Sequence, residues 1–271
     1  MSLRIHPTAI VESGARLGDG AVVGAFCHVG PQVELGADAE LASHVVLSGQ
    51  TFIGANAKIF PFASIGAEAQ DLKSRGDAGA LRIGADCVIR EGVTINLGTR
   101  AGGGETRIGD ACAFLAYSHV GHDCRIGDGV VLSNNVLLGG HVSVGDHAAI
   151  GGASVVHQHV RIGAHAYVGG LSGLEGDLAP FGLAGGNRAH LFGLNLVGLR
   201  RRGFSGERLT PLRAAYSLLF GHGASNEGVL AERIVIAARE FSGVGDVEAL
   251  LAFLRADRIR PLCAPRAISR A

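Results

Sequence analysis

The chain has 271 residues, 43 of them glycine, and no tryptophan. Its apolar fraction of 47 % is too high for a disordered chain, and the glycines do not follow the Gly-X-Y period of collagen. The formal net charge is zero, yet residues 187–271 carry 13 arginines and seven carboxylates, which leaves residues 1–186 with a net charge of −6. A basic C-terminal part on an acidic body predicts an anionic partner for that part.

The N-terminal segment and the cysteines indicate the compartment. Residues 1–7 (MSLRIHP) lack the apolar stretch of a signal peptide, and no uninterrupted apolar run is long enough for a transmembrane helix. The five cysteines form no Cys-x-x-Cys pair and are odd in number, which favours a reducing compartment without disulfides. We therefore expect a cytoplasmic protein.

Aliphatic residues recur every six positions, in 25 hexads between Ile5 and Val168. The residue four places after each aliphatic is small or β-branched, and the residue one place after is often glycine. This period fits a parallel β-helix in which each hexad is one short strand and both restricted positions face inward. Glycine would then mark the corners where φ is positive. Three hexads close one coil, so we expect about eight coils, roughly 40 Å in length.

The same pattern assigns the cysteines and two loops. Cys27, Cys87, Cys112 and Cys124 all occupy the small inward position and are predicted to be buried core residues. Residues 71–79 and 101–106 interrupt the period and are predicted to leave the prism as loops. Loops on a rigid scaffold often carry binding residues, and the first loop contains Lys73, one of only two lysines.

The hexads stop after about residue 186, and helical patterns follow. Thr210 and Pro211 are predicted to be the N-cap and first residue of one helix. A second helical segment spans residues 229–241, and Asp246 is predicted to cap a third. The sequence thus predicts a β-helix over residues 1–186 and a small helical domain over residues 187–271.

Four histidines fall on neighbouring coils of the predicted prism: His119, His122, His141 and His157. His122 and His141 are 19 residues apart and His141 and His157 are 16 apart, close to the 18 residues of one coil. Only His122 has a carboxylate beside it, that of Asp123, which makes the two a candidate general base and its orienting partner. Adjacent residues of a regular strand face opposite sides, so this contact requires a bend in the backbone.

Two other interpretations of the histidines stay open. Three histidines can bind zinc, as in hexapeptide β-helices that resemble gamma-class carbonic anhydrase. The four residues differ in hexad phase, however, so their side chains need not converge on one ion. A non-catalytic scaffold that binds an acyl carrier is the third possibility. Dependence on metal, and loss of activity on a single histidine substitution, distinguish the three.

Six segments together carry a resemblance to a known family. They are residues 6–11 (HPTAIV), 70–73 (QDLK), 119–124 (HVGHDC), 140–144 (GHVSV), 151–158 (GGASVVHQ) and 198–204 (GLRRRGF). In this order, over nearly the whole chain, they resemble the acyl-carrier-protein–UDP-N-acetylglucosamine O-acyltransferases that begin lipid A biosynthesis. The resemblance implies a left-handed β-helix with a helical C-terminal domain, assembled as a homotrimer with sites between subunits.

The resemblance also implies roles for particular residues. His122 would be the general base for the sugar 3-hydroxyl, Asp123 would orient it, and the Gly140 N–H would stabilise the oxyanion. The implied substrates are a 3-hydroxyacyl carrier protein and UDP-N-acetylglucosamine, with no cofactor and no metal. The residues implied to line the substrate sites are Asp71, Lys73, His119, His141, His157 and Gln158 for the sugar and acyl groups, Gly170 for the acyl floor, and Asn195, Arg201 and Arg202 near the nucleotide phosphates.

Three positions depart from the family pattern. Asn96 stands where the family commonly has a histidine, Val197 where an acidic residue often helps hold the uridine, and Arg188 where a histidine is common near the acyl site. These departures do not change the predicted class of reaction, but the acyl chain length and the identity of the sugar are not determined by the sequence. The 3-amino analogue of the sugar nucleotide, which would give an amide, is the alternative acceptor.

Overall fold

The computed structural model describes residues 2–74, 79–221 and 227–266, with the side chains of residues 227–229 excluded. Part of the predicted first loop, residues 75–78, and the side chain of Val229 therefore lie outside the described residues. The described ranges form 28 strands and four α-helices.

Most strands contain only two residues, one facing out and one facing in. In chain order the strands are β1 Arg4–Ile5, β2 Ile10–Val11, β3 Arg16–Leu17, β4 Val22–Val23, β5 His28–Val29, β6 Glu34–Leu35, β7 Glu40–Leu41, β8 Val46–Leu47, β9 Gln50–Ile53, β10 Lys58–Ile59, β11 Ser64–Ala67, β12 Ala80–Ile83, β13 Val88–Ile89, β14 Thr94–Asn96, β15 Glu105–Ile108, β16 Ala113–Phe114, β17 His119–Val120, β18 Arg125–Ile126, β19 Val131–Leu132, β20 Leu137–Leu138, β21 Ser143–Val144, β22 Ala149–Ile150, β23 Val155–Val156, β24 Arg161–Ile162, β25 Tyr167–Val168, β26 Gly173–Leu174, β27 Gly182–Gly185 and β28 His190–Leu194. The helices are α1 Leu196–Arg201, α2 Gly206–Phe220, α3 Glu227–Glu240 and α4 Gly245–Arg255.

The strands form three sheets that are the faces of a prism. Sheet A contains β1, β4, β7, β10, β13, β16, β19, β22, β25, β27 and β28; sheet B runs from β2 to β26 and sheet C from β3 to β24, each again using every third strand. All pairings are parallel except that of β27 with β28. The predicted parallel β-helix of hexapeptides is therefore the observed architecture.

Strand register shows where the two loops are inserted into the β-helix. Arg4 pairs with Val22, one coil of 18 residues further on. Lys58 instead pairs with Val88, and Val88 with Ala113, so these two coils hold 30 and 25 residues. Both additions lie between a strand of sheet B and the following strand of sheet C. The two predicted loops thus leave the prism at the same edge, one coil above the other.

The interior is filled as the hexads predict. Leu47, Ile65, Ile95, Val120 and Leu138 form one fully buried column behind sheet B. The four cysteines at the small inward position are buried, and all five cysteines are free thiols. An inward aliphatic contributes about 1.5–3 kcal/mol when fully buried, so the repeated column stabilises every coil in a similar way.

The prediction that the frequent glycine marks a positive-φ corner holds at Gly66, with φ 81°, and is wrong at the other glycines of this kind. Gly36 has an ordinary φ, and a Cβ there would lie 2.6 Å from the Ala55 nitrogen of the next coil. Glycine is needed at this position because stacked coils approach closely. The left-handed residue comes two places later, as at Asp38 with φ 54°.

Left-handed residues stack into one column at each edge of the prism. We name the columns by the sheets they join. The A–B corner includes Phe26, His44, Phe62, Tyr117 and Leu171; the B–C corner includes Asp123, His141 and His159; the C–A corner includes His147, His165 and Phe181. Rings stack along these columns, as in the Phe26–His44 and His44–Phe62 pairs.

The two ends of the prism differ. Among the inward residues of the first coil, Ile5 is 45 % exposed and Val11 and Leu17 are partly exposed, since no coil lies beneath them. At the other end, Tyr216 of α2 donates its hydroxyl hydrogen to the Pro180 carbonyl at 2.6 Å, so helices cover the last coil. None of the described helices is long and apolar enough to cross a membrane.

The end of the β-helix extends beyond the predicted eight coils. Past Val168, β26 adds a ninth strand to sheet B and β27 adds a further strand to sheet A. The antiparallel strand β28 then pairs with β27 across the predicted boundary between residues 186 and 187. The division into two domains stays a prediction.

Two predicted helix starts are wrong. Helix α2 begins at Gly206, four residues before Thr210, and the Ser205 hydroxyl caps it by accepting from the Arg208 N–H at 3.3 Å. Helix α4 has Val244 as its N-cap without a side-chain bond. Asp246 lies in the first turn and accepts from Arg208 at 2.8 Å, since an arginine is within reach. Helix α1 is too short to give a periodic pattern and was not predicted.

The C-terminal segment returns to the β-helix. Asp177 donates its N–H to the Pro261 carbonyl, and its own carbonyl accepts from the Cys263 N–H, both at 2.8 Å. The buried Asp177 carboxylate also accepts from the Arg161 backbone N–H at 2.8 Å and from Arg161 Nε at 2.7 Å. The Arg161 guanidinium lies over the ring of Phe253 in α4. Asp177 therefore joins the last coils to both the helices and the C-terminal segment.

Candidate active site

His122 and Asp123 lie in the turn that follows β17 at the B–C corner. Asp123 has φ 59°, and its Oδ2 lies 2.8 Å from His122 Nδ1. The backbone therefore bends where the two residues meet, which is what their contact requires. The side chain of His122 is 12 % exposed and that of Asp123 is fully buried.

The second loop holds the Asp123 carboxylate in place. Its two oxygens accept from the Thr99 N–H at 2.9 Å and from the Thr99 hydroxyl at 2.7 Å. The Asp123 N–H donates to the Thr106 hydroxyl at 2.8 Å. Thr99 was not among the predicted site residues. The only sequence signal near Thr99 was the interruption of the hexads at residues 101–106, which marks a loop that could carry site residues.

These bonds determine the tautomer of His122. An ionised carboxylate can only accept, so His122 Nδ1 carries the hydrogen and Nε2 keeps its lone pair. The His122 ring lies against Gly140, where a Cβ would come within 2.5 Å of Nε2. In the described part of the chain, the Gly140 N–H donates to no protein acceptor. The residue that the His122 ring touches thus carries a backbone N–H that is unbonded within the described ranges, and general-base catalysis with an oxyanion site needs such a donor near the base.

A column of histidines continues from His122 along the B–C corner. The His141 ring is perpendicular to that of His122 at 5.0 Å, and His141 Nε2 lies 3.8 Å from Asp123 Oδ2. His159 stacks on His141 at 4.5 Å. His122 and His141 are in contact although they differ in hexad phase, whereas His119 and His157 are not part of this column. His159 was not predicted, although its spacing of one coil from His141 was readable.

His119 lies on the outer face of sheet B, beside this column. Its Nδ1 is 2.7 Å from the Thr94 hydroxyl. Burial, and secondarily the His122 ring, lowers the pKa of His119, which favours the neutral imidazole.

His157 and Gln158 are exposed on the next coil. The Gln158 carbonyl accepts from Arg260 Nε at 2.9 Å, which links this edge to the C-terminal segment. His157 Nδ1 lies 3.2 Å from the same carbonyl.

The described residues of the first loop, 71–74 and 79, make no hydrogen bond or ion pair with the histidine column. The Lys73 N–H donates to Asp71 Oδ1 at 3.0 Å, and the Lys73 side chain is exposed. The base of this loop is held by Asn96, whose buried amide donates to the Glu68 carbonyl at 2.8 Å. Asn96 therefore anchors a loop at the position where the family has a titratable imidazole.

The remaining predicted residues lie at other corners. Gly170 is exposed at the A–B corner, where a Cβ would lie 3.3 Å from the Gly152 carbonyl oxygen. Arg201 and Arg202 are exposed at the end of α1. Partial desolvation of its guanidinium lowers the pKa of Arg202. Arg188 and Val197, two of the departures from the family pattern, are both exposed.

Asn195 is buried and its amide has structural partners. Its oxygen caps α1 by accepting from the Gly198 N–H at 3.1 Å, and its nitrogen donates to the His165 carbonyl at 3.1 Å. His165 belongs to the C–A corner and its Nδ1 is buried without a partner. Burial, followed by the neighbouring His147 and Arg202, lowers the pKa of His165 to about 4.

Two family descriptions match the chain. "Udp N-acetylglucosamine O-acyltransferase; Domain 2" matches residues 177–263. "Bacterial transferase hexapeptide (six repeats)" matches residues 14–49 and 105–140. The first covers the end of the β-helix and the helices, and the second covers stretches of the hexads.

Solved structures share the whole fold. The UDP-N-acetylglucosamine O-acyltransferase of Moraxella catarrhalis is 38 % identical with a TM-score of 0.90, covering 96 % of this chain and 99 % of that one. The UDP-N-acetylglucosamine acyltransferase of Campylobacter jejuni is 36 % identical with a TM-score of 0.90, covering 97 % and 100 %. The expected left-handed parallel β-helix with a small helical C-terminal part is thereby confirmed.

Curated relatives are similar over nearly their full length. The acyl-[acyl-carrier-protein]–UDP-N-acetylglucosamine O-acyltransferase of Methylobacterium radiotolerans is 59 % identical over 97 % of this chain and 96 % of its own. The enzyme of the same name from Bartonella bacilliformis is 47 % identical over 97 % and 94 %. The resemblance noted in the sequence and the predicted class of enzyme, an acyltransferase, are confirmed. The chain belongs to the acyl-[acyl-carrier-protein]–UDP-N-acetylglucosamine O-acyltransferase family.

Proposed function

We propose that this chain transfers a 3-hydroxyacyl group from acyl carrier protein to the 3-hydroxyl of UDP-N-acetylglucosamine, the first step of lipid A biosynthesis. The observation that carries the proposal is the hydrogen-bond chain from Thr99 through Asp123 to His122, which leaves His122 Nε2 as a free base. The relatives described above are named for O-acyl transfer between acyl-[acyl-carrier-protein] and UDP-N-acetylglucosamine.

The reaction follows from the positions of these groups. His122 Nε2 takes the proton of the sugar 3-hydroxyl as the oxygen attacks the thioester carbonyl, and Asp123 stabilises the imidazolium that forms. The Gly140 N–H donates to the oxyanion, a contribution of about 3 kcal/mol for such donors. The imidazolium then returns the proton to the departing thiolate of the carrier, so no metal or cofactor takes part.

A homotrimer fits the distribution of the site residues. His122 and His141 lie at the B–C corner, Gly170 at the A–B corner, and Arg202 beyond the C–A corner. One prism cannot bring three of its own edges to a single substrate, whereas neighbouring prisms can face one another. The A–B corner supplies apolar surface for such packing, with Phe26, Phe62 and Tyr117 each more than half exposed.

The substrate-binding roles are part of the same proposal. His119, His141, His157 and Gln158 line the edge beside His122, and a neighbouring subunit's Asp71 and Lys73 would reach the sugar or acyl group. Arg201 and Arg202 would bind the nucleotide phosphates. Asn195 would support them through its cap on α1 rather than through direct contact, because its amide groups are already bonded.

The partners follow from charge. The net charge of +6 over residues 187–271 suits an acidic carrier protein docking on the helical part. Free thiols at all five cysteines agree with work in a reducing, cytoplasmic setting.

The test is the substitution His122→Ala. We expect kcat to fall by at least about 100-fold. Thermal stability should change little, because the Asp123 carboxylate that loses the ring keeps both of its hydrogen bonds to Thr99. His147→Ala, at the same kind of turn in another corner, is the matched control and should keep its kcat. Treatment with EDTA should leave activity intact. A near-normal kcat for His122→Ala would remove the general-base role, and abolition by EDTA with recovery on zinc would favour the metal interpretation.

The sugar is tested in the same assay. Asn96, Val197 and Arg188 depart from the family pattern, so UDP-N-acetylglucosamine and its 3-amino analogue are compared with a panel of 3-hydroxyacyl carrier proteins. We expect the hydroxyl sugar to be preferred in kcat/KM. A preference for the amino sugar would replace ester formation with amide formation at the same site.

A further inference from the structure

Three groups that bind transition metals meet at the B–C corner. The ligand atoms of His122, Asp123 and His141 all lie within 4.8 Å of one another. Asp123 Oδ2 is 2.8 Å from His122 Nδ1 and 3.8 Å from His141 Nε2. Ligands of tetrahedral zinc, with bonds of about 2.0–2.2 Å, lie about 3.3 Å apart. The two distances from Asp123 would change by about half an ångström, and the distance between the two imidazole ligand atoms, within 4.8 Å, by at most about 1.5 Å.

We propose that each chain binds one Zn²⁺ ion through His122, Asp123 and His141, with water in the fourth position, and that this zinc inhibits acyl transfer. Two imidazoles and one carboxylate suit zinc better than magnesium or calcium, which prefer oxygen ligands alone. This zinc would not be a catalytic metal, because the proposed reaction requires His122 without a bound ion.

The surroundings prepare these residues for a metal. Thr99 fixes the Asp123 carboxylate with two hydrogen bonds. The His141 ring is held between the His122 ring and the parallel ring of His159. Outer contacts that fix ligand orientation commonly change metal affinity about 10–100-fold. The His141 side chain is 28 % exposed, so an ion can enter from solvent.

Zinc disables the base at either nitrogen of His122. At Nδ1 it displaces the hydrogen to Nε2, so the ring presents an N–H where the sugar hydroxyl needs a lone pair. At Nε2 it occupies the lone pair directly. Neither route changes a covalent bond of the protein other than the N–H. The inhibition rests on the proposed role of His122, whereas the binding does not.

The experiment uses the full-length protein, freed of metal, with zinc sulfate as the probe. Calorimetry measures zinc binding, and acyl transfer is measured at the same zinc concentrations. His141→Phe removes one ligand but keeps a ring in the column; phenylalanine already occupies such left-handed corners at Phe26 and Phe62. His159→Phe is the matched control, because it keeps the stack and removes a nitrogen outside the proposed ligand set.

We expect one zinc per chain, loss of activity on its binding, and a drop in affinity of at least about tenfold in His141→Phe but not in His159→Phe. The remaining activity of His141→Phe should no longer respond to zinc. Should that variant fail to fold, His141→Asn replaces it, since Asn135 adopts the same left-handed φ. No saturable binding, or equal affinity in the ligand variant and the parent, would overturn the site. Zinc bound at the site without inhibition would instead overturn the base role of His122.

Discussion

Asp123→Asn is a sensitive test of how the base is prepared. The Asp123 carboxylate accepts three hydrogens: from the Thr99 N–H, from the Thr99 hydroxyl and from His122 Nδ1. An asparagine has one oxygen and one NH₂ group for the same three donors. The amide can adopt two orientations, related by exchange of its oxygen and NH₂ group. In each orientation the NH₂ group faces at least one hydrogen-bond donor.

The two placements differ in free energy. With the amide oxygen toward His122, the NH₂ group faces the Thr99 backbone N–H, which cannot rotate, and a buried unpaired donor costs about 1–3 kcal/mol. With the oxygen toward that N–H, the NH₂ group faces the Thr99 hydroxyl, which can turn to accept, and His122 Nδ1, which must give up its hydrogen. The second placement is favoured, and it moves the hydrogen to Nε2.

The magnitude follows from this preference. A difference of about 1–3 kcal/mol leaves the productive tautomer in about one molecule in five to one in 150. Loss of the negative charge beside the imidazolium lowers the rate further, so the total loss in kcat should lie within about 10²–10⁴-fold. KM for both substrates should change little, because the carboxylate is buried and does not reach them.

Steady-state kinetics with a 3-hydroxyacyl carrier protein and UDP-N-acetylglucosamine measure the loss, and nitrogen NMR of the imidazole reports the tautomer. Thr99→Val is the matched variant: it removes one donor but keeps the backbone N–H, and should cost no more than about tenfold in kcat. A kcat for Asp123→Asn within a factor of about five of the parent, with Nδ1 still carrying the hydrogen, would refute the reasoning.

Three further outcomes are expected. The free energy of unfolding should fall between about pH 6.5 and pH 4, because the unfolded His165 ring takes up a proton that the folded ring, with a pKa of about 4, does not; His165→Phe should flatten that part of a urea-denaturation profile. Asp177→Ala should lower stability to denaturant by about 3–5 kcal/mol, since it leaves the Arg161 side chain without its carboxylate, and Asp177→Asn should lower it less. Gly170→Met should shift preference toward shorter acyl chains by about 0.8 kcal/mol for each methylene excluded, and an unchanged preference across the carrier-protein panel would make Arg188 the better candidate for chain selection.

The hexads predicted the fold because the inward positions of a β-helix depend on the repeat alone. Leu138 and Cys124 can be assigned to the core from their hexad positions alone, without information on distant residues. The left-handed corners were misplaced because glycine was interpreted through its φ. At Gly36 the actual constraint is the approach of the next coil, which a single repeat does not reveal.

The site was predictable only where it follows the coil spacing. His122 and His141 could be brought near one another by counting residues, and Asp123 by its adjacency. The contact between Thr99 and Asp123 could not be predicted, because Thr99 lies outside the hexad pattern and only the folded structure shows where its hydroxyl is. Asn195 was assigned to the nucleotide by resemblance, whereas the structure uses its amide to cap a helix.

The exposed first coil should be the first part of the β-helix to unfold locally. Each coil contacts only its neighbours, so local stability depends on how many sides are covered. The inward Ile5, Val11 and Leu17 of the first coil are covered on one side only, while the last coil lies under α2. Amide hydrogens of β1 to β3 should therefore exchange with solvent fastest, with protection rising coil by coil toward the histidine column. His122, the proposed base, thus lies in the part of the prism that should exchange slowly, away from fraying at the uncovered end.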